Sequence, residues 1–234
     1  MWRLADSCLW FDEIFSVHAA EHPWGSLFWV VAQDQIHPPL FYMLLKVWIG
    51  IGGDSVLWLR LFPVFFSILS IAPFLYLCRE FRLNRSTIAI ALTLFAINGA
   101  LIKYAQEVRM YAPLLFFSLV SLWLFARFFF RGKNIWILTV VNILLIYTHY
   151  FGWFFVIVEV LMIFIFQRVK IRHVLIMTGI NLVAFLPWMI AVFRAAYSGS
   201  DIAENIGWIS TPGFRAVFTF VFDLIEPFYF QQSS

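Results

Sequence analysis

The sequence predicts an all-α polytopic membrane protein, and three observations carry that prediction. Apolar residues make up 63% of the 234 and charged residues 12%, against roughly 45–50% and 25% in soluble domains. No soluble interior of this size hides so much apolar surface, so lipid must solvate most of it. The apolar residues also gather in long runs separated by short polar connections. Finally, basic and acidic residues segregate into alternate connections, the pattern expected of a multi-span chain. The 29 Phe and 11 Trp suit the aromatic belts at the two membrane surfaces. The basic residues come in scattered twos and threes with no continuous basic face, so nucleic acid is not an expected partner.

Taken in order, residues 1–55 read as an outer loop with surface helices and an acidic pair. Residues 1–10 hold no apolar run of signal-peptide length. Segment 38–52 is apolar, but about 15 residues of helix reach only ~22 Å, and Lys46 sits at its middle. Pro38 and Pro39 suit a helix start, and Gly50, Gly52 and Gly53 mark its end, so a helix lying on the membrane surface is expected. Residues 56–195 hold six apolar runs, 56–78, 86–103, 110–126, 135–150, 152–167 and 173–193, each read as a span although the pair around Tyr150 is short. Residues 196–234 read as a second outer loop and a further apolar helix over 214–230, interrupted by Asp223, Glu226 and Pro227.

If 38–52 does not cross, connections 79–85, 127–133 and 168–172 share one face and carry nine of the sixteen basic residues, which makes that face cytoplasmic. The opposite face receives nearly all of the thirteen acids, with Glu80 and Glu159 the clear exceptions. This topology puts Cys8 and Cys78 on opposite faces, so no disulfide is expected between them. It also leaves the first outer loop with no span before it, and the last run close to the chain end, as in part of a longer protein. No repeat or linker divides the chain, and one membrane domain is expected.

Chemistry concentrates on the outer face. Asp12 and Glu13 follow Trp10 and Phe11. An isolated pair of this kind is commonly two solvated acids, but aromatic neighbours press this one toward the interface, where partial desolvation suits a carboxylate to general-base work. Between two spans, Lys103, Tyr104, Gln106, Glu107, Arg109 and Tyr111 crowd nine positions that an ordinary connector would fill with a few polar residues. Arg109 presents a planar fork suited to phosphate oxygens. His37, Tyr42, His149 and Tyr150 mark further outer turns as pocket-lining candidates with Trp10, although each histidine alone is as readily structural. The spacing of His18, His22, His37 and His149 matches no compact zinc pattern. No metal site and no cofactor are expected, with a divalent ion left open. Arg60 either snorkels to the outer surface or lines the pocket. Glu159, in mid-span, reads as a protonated acid hydrogen-bonded between helices, and Asn181 and Pro187 suggest a kink or helix contact.

The ordered set Trp10, Asp12, Glu13, Ser16, then His37, Pro38, Pro39, Leu40, Tyr42, resembles the first outer loop of the polyprenol-phosphate-sugar-dependent glycosyltransferases. That family includes protein O-mannosyltransferases and lipid A aminoarabinose transferases. Leu59 and Arg60, then Tyr104, Gln106, Glu107, Arg109 and Tyr111, then His149 and Tyr150, then Leu186, Pro187 and Trp188, resemble its later landmarks in the same order. The likeness runs from about Trp10 to Trp188. It implies a GT-C-like bundle with interfacial helices between the first spans and a catalytic carboxylate at Asp12 beside Glu13. It further implies a polyprenyl-phosphate-linked sugar donor, a glycan, lipid or protein acceptor, and a place in the bacterial inner membrane with the site on the extracytoplasmic side. Donor contacts fall to Arg109, Lys103, Arg60, Tyr104, Gln106, Glu107 and Tyr111. The competing expectation is a non-catalytic polytopic protein, such as a lipid-linked sugar translocator or an assembly subunit.

Overall fold

The structure, a computed structural model, describes residues 8–198, which form eleven α-helices and one 3₁₀ turn with no strand among them. Three rods are long and apolar enough to cross a membrane: Val56–Glu80, Tyr111–Arg131 and Arg168–Tyr197. The first joins α4 (Val56–Leu69) and α5 (Ile71–Glu80) through Ser70, whose hydroxyl donates back to the Phe66 carbonyl at 2.8 Å. The second is α8 (Tyr111–Arg131), and the third is a 3₁₀ turn (Arg168–Lys170) running into α11 (Ile171–Tyr197). Only 28–44% of their apolar windows is buried inside the protein, so most of the oily surface faces outward, the arrangement lipid requires.

Within residues 1–55, expected as an outer loop with surface helices of which the sequence places only 38–52, α1 (Phe11–Glu21) and α2 (Trp24–Asp34) precede α3 (Leu40–Gly52). Only a few of their apolar residues are fully buried, and these are phased to one side of each helix. Ala19 and Ala20 bury one side of α1, and Leu27, Val31 and Ala32 one side of α2, with Pro23 separating the two. Helix α3 begins after its proline pair and ends at Gly53 (φ 85°), as expected. Lys46 does not break its apolar run, because its ammonium donates to the Ala20 and His22 carbonyls at 3.1 and 2.7 Å. It thereby caps the C-terminus of α1, where a cation opposes the helix dipole. Trp48 on α3 and Trp58 on α4 stack at 4.6 Å and each donates its indole N–H to the other's carbonyl at 2.8 Å. A Cβ on Gly52 would lie within the Trp58 ring, so this clasp needs glycine.

The run 86–103, expected as one span, is two helices, α6 (Arg85–Ile97) and α7 (Gly99–Tyr104). Asn98 is extended (φ −66°, ψ 118°) and its side chain accepts the Leu101 N–H at 3.0 Å, starting a second helix where the first stops. Helices α9 (Ile135–Thr148) and α10 (Gly152–Phe166) keep their expected places. With 14 and 15 residues they are shorter than a full bilayer crossing needs. The further apolar run at 214–230 lies outside the described residues.

Two apolar clusters stack along the bundle. One joins α1–α3 to the adjacent ends of α4, α8, α9, α10 and α11, around Phe41, Tyr42, Phe62, Ile146, Phe185 and Trp188. The other joins the far ends around Leu124, Phe128, Leu138, Ile163 and Met177. At the far end Lys170 donates to the Phe128 and Phe129 carbonyls, and Arg131 pairs with Glu80 at 2.8 Å. The basic connections thus share the end opposite the acid-bearing α1–α3 cap.

Candidate functional site

The site is built from Glu13 outward. Its carboxylate is 1% exposed. It accepts the Trp10 N–H at 3.2 Å, an Arg60 Nη2 proton at 3.3 Å and the Val108 N–H at 2.8 Å. The first bond closes the N-terminus of α1; the second balances the charge with a buried guanidinium. The third fixes the turn after α7, 95 residues along the chain. Residues 12 and 13 lie on different sides of one helical turn, so anchoring Glu13 inward leaves Asp12 at the cleft, with its side chain 24% exposed. Fixing Val108 likewise delivers Arg109, which is 5% exposed, to Asp12.

Arg109 is held but not saturated. Its Nη2 lies 3.4 Å from Asp12 Oδ2, and its Nη1 lies 3.3 Å from the Asp12 carbonyl and 3.5 Å from Ser16 Oγ. These contacts are long for a guanidinium, and its buried Nε has no hydrogen-bond partner among the described residues. Two more buried polar atoms without partners among the described residues belong to the same neighbourhood, the Tyr42 hydroxyl and His37 Nδ1. The Arg109 charge acts on both residues. The His37 and His149 rings meet edge to face at 5.3 Å.

Burial and the Arg109 charge push His37 down to about 3 and His149 to about 4, so both rings are neutral at physiological pH. His149 Nδ1 accepts the Phe151 N–H at 3.1 Å, which leaves the proton on Nε2. The sharp turn that presents His149 needs Gly152, where a Cβ would meet the Leu145 backbone at 2.8 Å. Tyr150 closes the wall, accepting the Trp188 indole N–H at 3.1 Å. Burial raises the Tyr42 and Tyr150 hydroxyls above the ordinary phenol range, keeping both protonated.

The remaining expected site residues divide. Lys103 sits 3.9 Å from Glu107 and 5.6 Å from the centre of the Tyr104 ring, and Tyr104 packs on Tyr111 at 4.4 Å. This group borders the Asp12–Arg109 pair, and the charges of Glu13, Arg109 and Asp12 reach Glu107. Gln106 turns back to the Ile102 carbonyl at 2.9 Å, and Trp10 is an exposed ring. Arg60 lies behind the cleft, donating to Glu13 and to the Cys8 carbonyl at 3.2 Å. Glu13 and Arg60 are thus paired with each other in the interior, next to the Asp12–Arg109 pair. Asp34, at the end of α2, was not among the expected site residues. Burial outweighs the nearby Arg109 and raises its carboxyl to about 6, and its charge is felt by Tyr42 and Tyr150. The one available signal was its position three residues before His37. Among the described residues no group of three or more His, Cys, Asp or Glu is placed to hold a metal ion.

Comparison of the chain with protein-family models, with curated proteins and with solved structures gives no match.

Proposed function

We propose that the chain belongs to an integral membrane glycosyltransferase that moves a sugar from a polyprenyl-phosphate carrier to a glycan, lipid or protein acceptor, with inversion, at the extracytoplasmic face. The observation that supports this most is the state of Arg109. It is a buried guanidinium with long contacts, flanked by the Tyr42 hydroxyl and His37 Nδ1, which lack partners among the described residues. Buried polar atoms are normally satisfied, so a pocket with this much open hydrogen-bonding capacity around a fixed cation suits an anion with several oxygens. The pocket lies at one end of an apolar bundle, so an anion carried on a lipid reaches it along the surrounding hydrocarbon.

In this GT-C-like reading the donor phosphate competes with Asp12 for Arg109 and frees the carboxylate. The acceptor hydroxyl attacks the anomeric carbon and gives its proton to Asp12. The bond from that carbon to the phosphate oxygen breaks, its electron pair stays on the phosphate, and Arg109 stabilises the growing charge with Lys103 at the rim. Glu13 and Arg60 hold the two partners in place. The neutral rings of His37 and His149 and the hydroxyls of Tyr42 and Tyr150 offer hydrogen bonds to sugar hydroxyls. The charge segregation supports basic connections in the cytoplasm, and the bacterial inner membrane rests on the family resemblance.

A translocator is the second reading, favoured by one observation: polar side chains at Ser121, Asn142, Glu159 and Asn181 lie deep among the helices. The test uses the full-length protein in detergent with a radiolabelled polyprenyl-phosphate sugar pool. Release of label should be lost in Asp12→Asn with lipid still bound, and lipid binding should be lost in Arg109→Ala. Transfer by Asp12→Asn at the wild-type rate would remove this mechanism.

A further inference from the structure

The strongest feature outside the site is a polar layer between the two apolar clusters. Ser121 on α8, Asn142 on α9 and Glu159 on α10 are all buried. Ser121 Oγ lies 2.7 Å from Asn142 Oδ1 and 2.8 Å from Glu159 Oε1, and Asn142 Nδ2 lies 2.6 Å from Glu159 Oε2. Three short contacts thus close a ring of three side chains from three helices.

Each contact in the ring needs one proton. The serine hydroxyl supplies one. The asparagine amide supplies one, because its nitrogen faces only one of the two neighbours. The third has a single source, the carboxyl of Glu159. With Asn142 oriented so that Nδ2 faces Glu159, the protons run from Asn142 to Oε2, from Oε1 to Ser121 and from Ser121 to Oδ1. Turning the amide over reverses the direction around the ring and still requires a proton on the carboxyl, so the count does not depend on how the amide was assigned. The second Nδ2 proton points to Met177 Sδ at 3.8 Å on α11, which favours the first direction. An ionised Glu159 would leave two oxygens facing each other without a proton, in a dry interior where that is costly.

We propose that Glu159, Asn142 and Ser121 form a closed, uncharged hydrogen-bond ring in which Glu159 keeps its proton, and that this ring positions the cleft. The link to the cleft is direct. Helix α8 begins immediately after Arg109 and Met110, and α9 ends immediately before His149 and Tyr150. The ring fixes these two helices against each other about three turns from Arg109 and two from His149, so their register sets the gap between the cation and the histidine wall. Glu159 is a positioning residue in this scheme and touches no substrate.

The positioning role rests on the glycosyltransferase reading, but the ring itself does not, and the test separates them. Glutamine, like a neutral glutamic acid, offers one oxygen that accepts and a second atom that donates, so Glu159→Gln should rebuild the ring, whereas Glu159→Ala should break it. In full-length protein in detergent, Glu159→Gln should melt within about 2 °C of wild type and Glu159→Ala at least ~5 °C lower, as expected for a lost buried network in a chain of this size. Infrared difference spectra of wild type minus Glu159→Gln should contain the carbonyl stretch of a protonated carboxyl. A carboxylate band instead, or equal destabilisation by Gln and Ala, would overturn the ring. Sugar transfer should follow the same order, kept by Gln and reduced at least ~10-fold by Ala. A stable Ala variant, or an unstable one with full transfer, would overturn the positioning role. Absence of transfer from wild type would count against the glycosyltransferase reading while melting and infrared data still decide the ring.

Discussion

The cleft and the interior ring are both polar islands in an apolar protein, yet they are built on opposite terms. In the ring, three side chains from three helices satisfy one another completely once one proton is added. In the cleft, Arg109, Tyr42 and His37 are also buried, but each keeps a polar atom without a partner among the described residues. A closed network stabilises one arrangement of helices and has nothing left to offer. An open one costs stability, and it persists at functional sites where a ligand completes it. The same division runs between adjacent residues, because Glu13 is closed by three donors and Asp12 faces the cleft through one long ion pair.

That division is easiest to break at residues 12 and 13. Asp12→Asn should reduce sugar transfer by 10²–10⁴-fold, the range of a lost general base, while the melting temperature moves by no more than about 3 °C. Glu13→Ala should do the reverse in kind. Removing one partner of a buried ion pair costs about 3–5 kcal/mol, roughly 10 °C of melting temperature in a chain of this length. A thermal melt beside the transfer assay distinguishes them, and similar profiles for the two variants would erase the distinction.

Acid sharpens the comparison next. His37 and His149 have values in the fold of about 3 and about 4, against 6.5 when exposed. The unfolded chain therefore binds protons first, and the stability these residues share is present above about pH 6.5 and lost as pH falls toward 4. Asp34, raised from 3.8 to about 6, works the other way, costing stability as pH rises through that interval. Glu107, also raised by burial, acts as Asp34 does, but the two histidines are displaced furthest, so the melting temperature should fall on acidification. The double variant His37→Gln with His149→Gln should flatten or invert that slope, and an unchanged slope would show that the rings are already charged.

The smallest effect belongs to Tyr42. Tyr42→Phe removes a buried hydroxyl with no protein partner, so stability should be unchanged or slightly higher. Affinity for the lipid-linked sugar, measured by titration, should drop by about 2- to 10-fold, the size of one hydrogen bond.

Much of the fold was legible because its signals are local. The proline pair and glycines bounded α3, and the lengths of the long apolar runs located the three rods. The run 86–103 misled because Asn98 is one polar residue among apolar ones, and only its extended backbone shows that it caps a new helix. Helices α1 and α2 were hidden because few residues carry their buried faces. In the site, Asp12 and Arg109 stood out by residue type, but the different settings of Asp12 and Glu13 did not. Adjacent carboxylates are equivalent in a sequence, and only helical phase and the Val108 N–H, 95 residues away, tell them apart. Asp34 and the partners of Glu159 escaped for the same reason, since long-range packing defines them.

The central claim is that the open atoms around Arg109 await a phosphate carried on a lipid. The most direct measurement is binding of a short-chain polyprenyl phosphate and of the matching polyprenol to full-length protein, in wild type and Arg109→Gln. The account predicts that wild type prefers the phosphate by at least ~10-fold, that the preference disappears in Arg109→Gln, and that weak binding of the alcohol is unchanged between the two. Equal affinity of wild type for phosphate and alcohol, or a preference that survives in Arg109→Gln, would contradict it.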